Sequence, residues 1–256
     1  MENVLVQQNA IVALDSLVNA TSIDQVWTTL TQSLAGYGFD RLFYGYTRFH
    51  TRSGLGPRDD FLILSSMPED YSDRYIREEM FRHAPMTRWA RDNVGAMSWG
   101  WVSANKSSLN QSELAVLSFN QAFDVTAGYT IAFHDPVTRH KGAIALAARA
   151  GLSQTQVDSI WGRYGDEINV INQVAHLKFG TLPLPRSQQS LSPRQREVLE
   201  WVGDGKTTQD IATILDLTPA TIEKHLRRAR DTLSVETTAQ AVRKASVLNQ
   251  IYIVEP

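Results

Sequence analysis

The chain contains 256 residues, of which 43% are hydrophobic, and its 25 lysines and arginines nearly balance 27 aspartates and glutamates. This length favours two domains, and the absence of cysteine excludes disulfides, thiol nucleophiles and thiolate metal sites. No apolar run approaches the roughly 18 residues of a membrane helix, and the acidic Glu2 and Asp15 stand where a signal peptide would carry positive charge. We therefore expect a soluble, cytoplasmic protein without a membrane partner. The scattered histidines suggest no metal site, and we expect no cofactor.

A linker divides the sequence. The segment 180–190 combines prolines, a glycine and polar residues, and it interrupts two helical patterns. Upstream of it, apolar residues recur at helical spacing over Leu152–Lys178, which predicts a long amphipathic helix. We therefore predict one domain over 1–179 and a second over 191–256.

The first domain contains short segments of apolar and aromatic residues bounded by turn residues, as strands are. These segments are Arg41–Phe49, Asp60–Ser65, Ala127–His134 and Gly142–Ala148. The last two flank a hairpin-like connection. Helical patterns lie between and around the strands without regular alternation, so the predicted fold is α+β. We expect an antiparallel sheet covered by helices on both faces, an α/β/α sandwich.

The second domain carries repeated helix-start signals. Ser192 and Thr218 are each followed by a proline, and Thr207 precedes another helical pattern. Hydroxyl side chains satisfy free amide groups at a helix start, and proline favours the first helical position. We predict an all-α domain of four helices.

The third of these helices, Pro219–Leu233, has apolar residues at steps of four, three and four. Its other side presents Thr221, Lys224, Arg227 and Arg228. A helix with a buried floor, a tight turn before it and exposed cations is suited to entering the major groove of DNA. Judged by charge alone, this helix is equally consistent with an ordinary helical bundle whose basic face is exposed to solvent.

Residues 191–235 resemble the LuxR-type helix-turn-helix. The positions that match its pattern are Glu197, Gly205, Ile211, Ala212, Thr221, His225 and Leu233. Asp210 replaces the usual Glu, Ile222 replaces the usual Val, and the pattern is also broken at Gln195, Thr232 and Ser234. The resemblance implies a transcription factor that binds double-stranded DNA as a homodimer, with the long Leu152–Lys178 helix as an interface and RNA polymerase as a further partner.

The same resemblance implies which side chains contact DNA. These are Thr207, Thr221, Lys224, His225, Arg227 and Arg228. Which of them touch bases and which touch phosphates stays open. His225 also has a structural interpretation of equal weight, in which it packs at the edge of the apolar floor.

The first domain does not show the βα alternation of a phosphorylated receiver domain, because residues 4–15 look helical. Its spacing resembles the autoinducer-binding domain of quorum-sensing regulators. The positions that keep the family residue are Pro68, Tyr75, Pro85, Trp99 and Gly128. Tyr71 stands where the family has tryptophan, and Ala84 stands where it has aspartate.

This resemblance implies a small-molecule ligand, an acyl-homoserine lactone or a related compound. The residues expected to line its pocket are Tyr71, Tyr75, Trp99, Ile63, Ser65, Met67, Ile76, Ala84, Met86, Gly128, Tyr129, Thr130 and Ala148. Phenols and an indole would supply hydrogen bonds within an apolar site. The alternative is that the aromatic residues form an ordinary core, which we would favour if the second domain were absent.

Ala84 bears on the ligand, because the family aspartate accepts a hydrogen bond from the lactone's amide. A hydroxyl residue that often assists is also missing near Ala148. A buried amide without its acceptor costs about 1–3 kcal/mol. Either His83 or a water compensates, or the natural ligand is not a standard lactone.

Two other functions compete with a ligand sensor. Gly203–Thr207 imitates the end of a phosphate-binding loop but lacks the earlier glycine, and no catalytic motif has supporting context, so we do not expect an enzyme. Alternatively, Trp99, Trp101 and Tyr129 fill the pocket, and the protein is a ligand-independent regulator.

Overall fold

The computed structural model describes residues 2–51, 54–56, 61–182 and 190–252. Asp60, which opens a predicted strand, residues 183–189 of the predicted linker and the last four residues lie outside this part of the chain. None of the described helices is both long enough and apolar enough to cross a membrane. Contacts divide the chain into two units. One comprises Met1–Ala20 with Asp24–Gly180, and the other comprises Thr181–Pro256 with Thr21–Ile23.

The first unit is built on a five-stranded antiparallel sheet. Its strands are β1 (Arg41–Thr47), β2 (Phe61–Ser65), β3 (Gly95–Ser98), β4 (Gly128–Ala132) and β5 (Lys141–Ala147). Its helices are α1 (Glu2–Asn19), α2 (Ile23–Gly36), α3 (Glu69–Arg77), α4 (Pro85–Asp92), α5 (Gly100–Ala104), α6 (Gln111–Ala122) and α7 (Gln154–Thr181), with 3₁₀ turns at Met80–His83 and Lys106–Ser108.

The strands lie in the order β2-β1-β5-β4-β3, and every neighbouring pair is antiparallel. The predicted α+β fold and its antiparallel sheet are therefore confirmed. The sequence did not predict β3, because four residues without apolar alternation at the edge of a sheet resemble a loop. The long helix was also predicted, and α7 extends it as far as Thr181.

The two faces of the sheet carry side chains of different size. On one face, Tyr44 packs on Phe179 of α7 with ring centroids 4.8 Å apart, and Tyr129 stacks on Trp161 of the same helix at 4.0 Å. On the other face, paired positions along β1 and β5 are small, with Gly45 opposite Ala143. Because alternate residues of a strand point to opposite faces, this difference follows directly from the residue pattern.

A buried polar cluster joins α7 to the large-residue face. His176 stacks on Phe133 with centroids 4.1 Å apart, and a 2.9 Å hydrogen bond joins its Nδ1 to the hydroxyl of Tyr44. The nearest carboxylate oxygen, from Asp135, lies 4.0 Å from Nε2. Burial lowers the pKa of His176 to about 4, against the opposing effect of Asp135. The ring is therefore neutral at physiological pH.

The described part of the second unit contains the four helices that the sequence predicted. They are α8 (Pro193–Gly203), α9 (Thr208–Ile214), α10 (Pro219–Leu233) and α11 (Thr238–Val247). Ser192, Thr207 and Thr218 each cap a helix by accepting a hydrogen bond from a backbone amide three residues later. The predicted caps are thus confirmed. The floor of α10 is buried at Ile222, Leu226, Ala229 and Leu233.

We predict that Gly142→Ala destabilises the first unit. A Cβ at this position would lie 2.5 Å from Cε1 and 3.0 Å from Nδ1 of His176, so α7 would have to move. Such overpacking costs about 1–3 kcal/mol, measurable by urea denaturation. Gly45→Ala is the matched control, because a Cβ there has no described atom within 4 Å. Equal stability of both variants would contradict the close packing of α7.

We also predict acid sensitivity from His176. Its pKa is lower in the folded chain than the ordinary value of 6.5, so the unfolded chain binds the proton more tightly. The resulting stability is present above pH 6.5 and is lost as the pH falls towards 4, by about 3 kcal/mol. His176→Gln should flatten the pH dependence of the unfolding free energy in this interval. The exposed His134→Gln should leave it unchanged, and identical profiles for both would refute this role of His176.

Candidate functional site

The small-residue face of the sheet forms the floor of a cavity of about 540 Å³. Adjacent strands contribute Gly45, Ala143 and Ala145 to this floor, with Phe43, Ile63 and Thr130 around them. Because the central positions have at most one side-chain carbon, the space above them stays empty. The cavity volume falls within the range of about 300–1,000 Å³ that is typical of small-molecule sites.

Aromatic rings form a wall above this floor. Tyr71 and Tyr75 lie one turn apart on α3 and stack with centroids 5.0 Å apart, and Tyr75 packs edge-on against Phe43 at 5.1 Å. Phe119 of α6 stacks behind them. This wall is rigid because each ring contacts at least one other ring.

The polar groups of the cavity are bonded to one another. The indole N–H of Trp99 donates to Oγ1 of Thr130 at 2.9 Å, and the hydroxyl of Tyr71 donates to Oδ1 of Asn120 at 2.9 Å. Burial raises the pKa of Tyr71 and of Tyr75, so both phenols stay protonated. These phenol, indole, hydroxyl and amide groups are neutral and lie on an apolar background, and cationic side chains also line the cavity.

Eight of the predicted pocket residues line the cavity. They are Tyr71, Tyr75, Trp99, Ile63, Met67, Ala84, Met86 and Thr130. They belong to or flank β2, α3, α4, β3 and β4, so their convergence depends on how the helices pack on the sheet. Trp99 is held over the sheet beside Gly128, where an added Cβ would meet its ring and the Leu146 carbonyl.

The other five predicted residues lie outside the cavity lining: Ser65, Ile76, Gly128, Tyr129 and Ala148. Tyr129 points to the α7 face, because it is one residue out of phase with Thr130 on β4. Ser65 bonds instead to the hydroxyl of Ser72, and the carbonyl of Ala148 accepts a hydrogen bond from Arg41. Ile76 packs against the aromatic cluster from outside.

Ala84 lies between two cavities. It lines the main one and also a smaller one of about 300 Å³, whose wall includes Arg82, Arg88 and Glu113. Arg88 Nε is 2.7 Å from the buried carboxylate of Glu113. Thr87 also lines both cavities, but among the described residues no aspartate or glutamate lines the main one.

Sequence reasoning missed the floor and one wall of the cavity. The floor residues Gly45, Ala143 and Ala145 follow from strand alternation once one cavity-facing residue of each strand is known. The missed wall belongs to α6, whose lining residues Leu114, Leu117, Ser118 and Gln121 recur at helical spacing. That spacing was available in the sequence, but nothing in it showed which face of α6 would cover a cavity.

The second unit presents a different kind of surface. Lys224, Arg227 and Arg228 are exposed on α10, and their side chains form no hydrogen bond or salt bridge with the described residues. Thr221 and Thr207 are engaged in helix caps, the first with Thr218 and the second with Asp210. α10 is therefore positioned by capped, buried contacts and leaves its cations available for a partner.

His225 lies between these cations and the floor of α10 and is half-buried. Its pKa is lowered by burial and by the positive charges of Arg194, Arg228 and Lys224. Three cations acting on one neutral ring show that this face has a positive potential. Such a face suits a polyanion such as DNA.

One unit thus contains a cavity of small-molecule size, and the other contains capped helices with an exposed cationic helix, which is typical of DNA-binding regulators. The autoinducer binding domain family matches residues 22–179, and the luxR family of bacterial regulatory proteins matches residues 189–245. The chain belongs to the LuxR-type transcriptional regulators that carry an autoinducer-binding domain. The predicted resemblance is thereby confirmed.

Individual relatives agree with this assignment. The transcriptional activator protein ExpR of Dickeya dadantii (strain 3937) is 28% identical over 238 residues, covering 89% of this chain and 91% of ExpR. The structure of SdiA in complex with octanoyl-rac-glycerol has a TM-score of 0.53 at 14% identity, over 93% of each chain. The structure of CepR2, an N-acylhomoserine lactone dependent factor from Burkholderia cenocepacia, has a TM-score of 0.54 at 16% identity, over 68% of this chain and 95% of CepR2. These structures share the fold.

Proposed function

We propose that this regulator responds to a small apolar molecule that binds in the cavity of its first domain and thereby changes DNA binding by its second domain. The observation that carries this proposal is the cavity of about 540 Å³ over the small-residue floor. Empty apolar space of this size forfeits packing energy, which a ligand would restore. We further propose that the domains span 1–179 and 191–256, which the two family matches support.

The ligand-independent alternative receives less support. It requires Trp99, Trp101 and Tyr129 to fill the pocket, but Tyr129 stacks on Trp161 across the sheet. Trp101 is absent from the cavity lining and packs beside Arg88. Trp99 is a wall residue bonded to Thr130, so the space in front of it remains available.

Ala84 supports a ligand other than a standard acyl-homoserine lactone. No aspartate or glutamate among the described residues lines the main cavity, so a bound amide would lack a carboxylate acceptor there. The missing interaction corresponds to about 1–3 kcal/mol, up to roughly a hundredfold in affinity. Octanoylglycerol, the compound in the SdiA complex, contains neither an amide nor a lactone, which supports other acyl chemistry in this fold.

DNA binding is proposed through α10. Lys224, Arg227 and Arg228 are exposed and unbonded within the described residues, so they can reach phosphates or base edges without breaking contacts. His225 is proposed at the margin of the same surface. Thr207 and Thr221 are proposed at the same surface, where their backbone amides and hydroxyls bond within the caps that position α9 and α10.

The homodimer is proposed to form through α1 and α7. Both helices expose large apolar side chains, namely Ile11, Val12, Val18, Val170 and Leu177. Nζ of Lys178 on α7 donates to the carbonyl of Val18 on α1 at 2.7 Å, so the exposed apolar residues of the two helices lie near one another. Exposed apolar side chains grouped on neighbouring helices are typical of an interface, and a dimer would present two recognition helices to two half-sites.

We predict that Ala145→Leu abolishes the response to ligand. Its added carbons enter the cavity, so the substitution should block binding at little cost in stability. The measurement is thermal unfolding with octanoylglycerol, N-octanoyl-homoserine lactone and decanoate. A compound at a hundredfold excess over its Kd stabilises the wild type by about 2.7 kcal/mol. Ala96→Leu, the same change at an exposed position of β3, should respond like the wild type. An undiminished response of Ala145→Leu would place the ligand elsewhere.

We predict that Lys224→Ala weakens binding to all DNA sequences. Loss of one phosphate contact should reduce the slope of log K against log salt concentration by about one. Fluorescence anisotropy with a labelled duplex over a salt series provides the slope. Arg243→Ala, an equal loss of charge on the exposed side of α11, should not change it. An unchanged slope for Lys224→Ala would remove this residue from the interface.

A further inference from the structure

The charges in the cavity lining are of one sign. Arg91, Lys106 and Lys141 line the main cavity, and among the described lining residues there is no aspartate or glutamate. Arg91 and Lys106 are exposed and Lys141 is half-buried, whereas the aromatic wall is buried. The cationic side chains therefore lie where the cavity opens to solvent, and the apolar surface lies inside.

The cations are separated from the position of the missing aspartate. Ala84, Thr87 and Arg91 follow one another on one face of α4, and all three line both cavities. Seven residues of helix place Arg91 about 10 Å along the axis from Ala84. The guanidinium thus stands at the opposite end of α4 from the site at which the family carries its carboxylate.

Arg91 and Lys141 both line the main cavity, and each has a polar contact at this end of α4. Nζ of Lys141 donates to the carbonyl of Asn93 at 3.0 Å, and the Arg91 guanidinium is 3.3 Å from the carboxylate of the neighbouring Asp92. Both members of the Arg91–Asp92 pair are largely exposed, and such pairs contribute only about 0–1 kcal/mol. Arg91 can therefore exchange this partner for a ligand at small cost.

Lys141 lacks a direct anionic partner within the described residues. Burial lowers its pKa, and the charge of Asp92 only partly offsets that effect. By contrast, Arg82 and Arg88, which line the smaller cavity, are each paired with a carboxylate, Arg82 with Glu79 at 3.0 Å and Arg88 with Glu113 at 2.7 Å. Unbalanced positive charge is thus concentrated at the Arg91 end of the helix.

We propose that the cavity selects an amphipathic organic acid, with its carboxylate at Arg91 and Lys141 and its apolar portion against the aromatic wall. This inference rests on the proposed ligand-sensing function and specifies the class of ligand. A carboxylate matches the planar guanidinium in two parallel hydrogen bonds, which a neutral ester or lactone cannot form with equal strength. Lys106, whose side chain makes no hydrogen bond or ion pair with the described residues, adds to the attraction at the opening.

The test compares acids with their neutral counterparts. Decanoate and 4-phenylbutanoate, each beside its methyl ester, and N-decanoyl-homoserine lactone are titrated into the full-length protein by isothermal calorimetry at pH 7.5. We expect at least one acid to bind at least tenfold more tightly than its ester. Arg91→Gln should weaken the binding of that acid by about ten- to a hundredfold and leave the binding of its ester unchanged.

Two further variants complete the test. Lys141→Gln should also weaken the acid, and Arg77→Gln, an exposed change on α3 outside the lining, should bind like the wild type. Esters or lactone that bind as tightly as the acids, with Arg91→Gln and Lys141→Gln without effect, would overturn the acid preference and leave the sensing function intact. Failure of every compound to bind would overturn both proposals.

Discussion

The alternation of large and small side chains across one sheet determines what this domain can do. Large residues of β1 and β4 pack on α7, and Tyr44 and Phe133 contact the buried His176, which fixes the sheet against this helix. The small residues on the other face cannot fill the space beneath α3, α4 and α6. A shift of one residue in strand phase would exchange these faces, replacing the cavity by a core and exposing the aromatic side chains. The cavity is therefore a consequence of the register that also stabilises the fold.

The two proposed binding sites differ in whether their polar side chains already have partners within the protein. The sensor cavity satisfies its own polar groups, through Trp99 with Thr130 and Tyr71 with Asn120, so ligand specificity depends on shape and on the cations at the opening. α10 instead leaves Lys224, Arg227 and Arg228 without a side-chain partner among the described residues, over a buried floor. The chain has a nearly balanced net charge, yet positive charge is placed locally at both proposed binding sites. Local placement thus explains how an overall acidic protein can bind DNA.

Much of the fold could be predicted from local patterns. The caps at Ser192, Thr207 and Thr218 and the apolar spacing of α10 are short-range features, and the structure reproduces them. The edge strand β3 could not be predicted, because its four residues show no apolar alternation and only its pairing with β4 defines it as a strand. The cavity could be predicted because the spacing of aromatic residues resembles that of the autoinducer-binding domain. Its floor could not, because it depends on long-range strand pairing, and its α6 wall depends on tertiary packing. The prediction that Tyr129 lines the pocket is wrong, because alternate residues of β4 face opposite sides of the sheet and Tyr129 faces α7.

The central claim, that the cavity is a ligand site, is tested most directly by mass spectrometry of the small molecules extracted from purified protein after exposure to an extract of bacterial culture. We expect about one molecule per chain, with a large apolar portion, that is released when the protein is denatured and that lacks the lactone amide that Ala84 cannot bind. A standard acyl-homoserine lactone recovered at this stoichiometry would contradict the role given to Ala84. Protein that retains no molecule, yet binds DNA equally well before and after exposure, would contradict ligand control altogether.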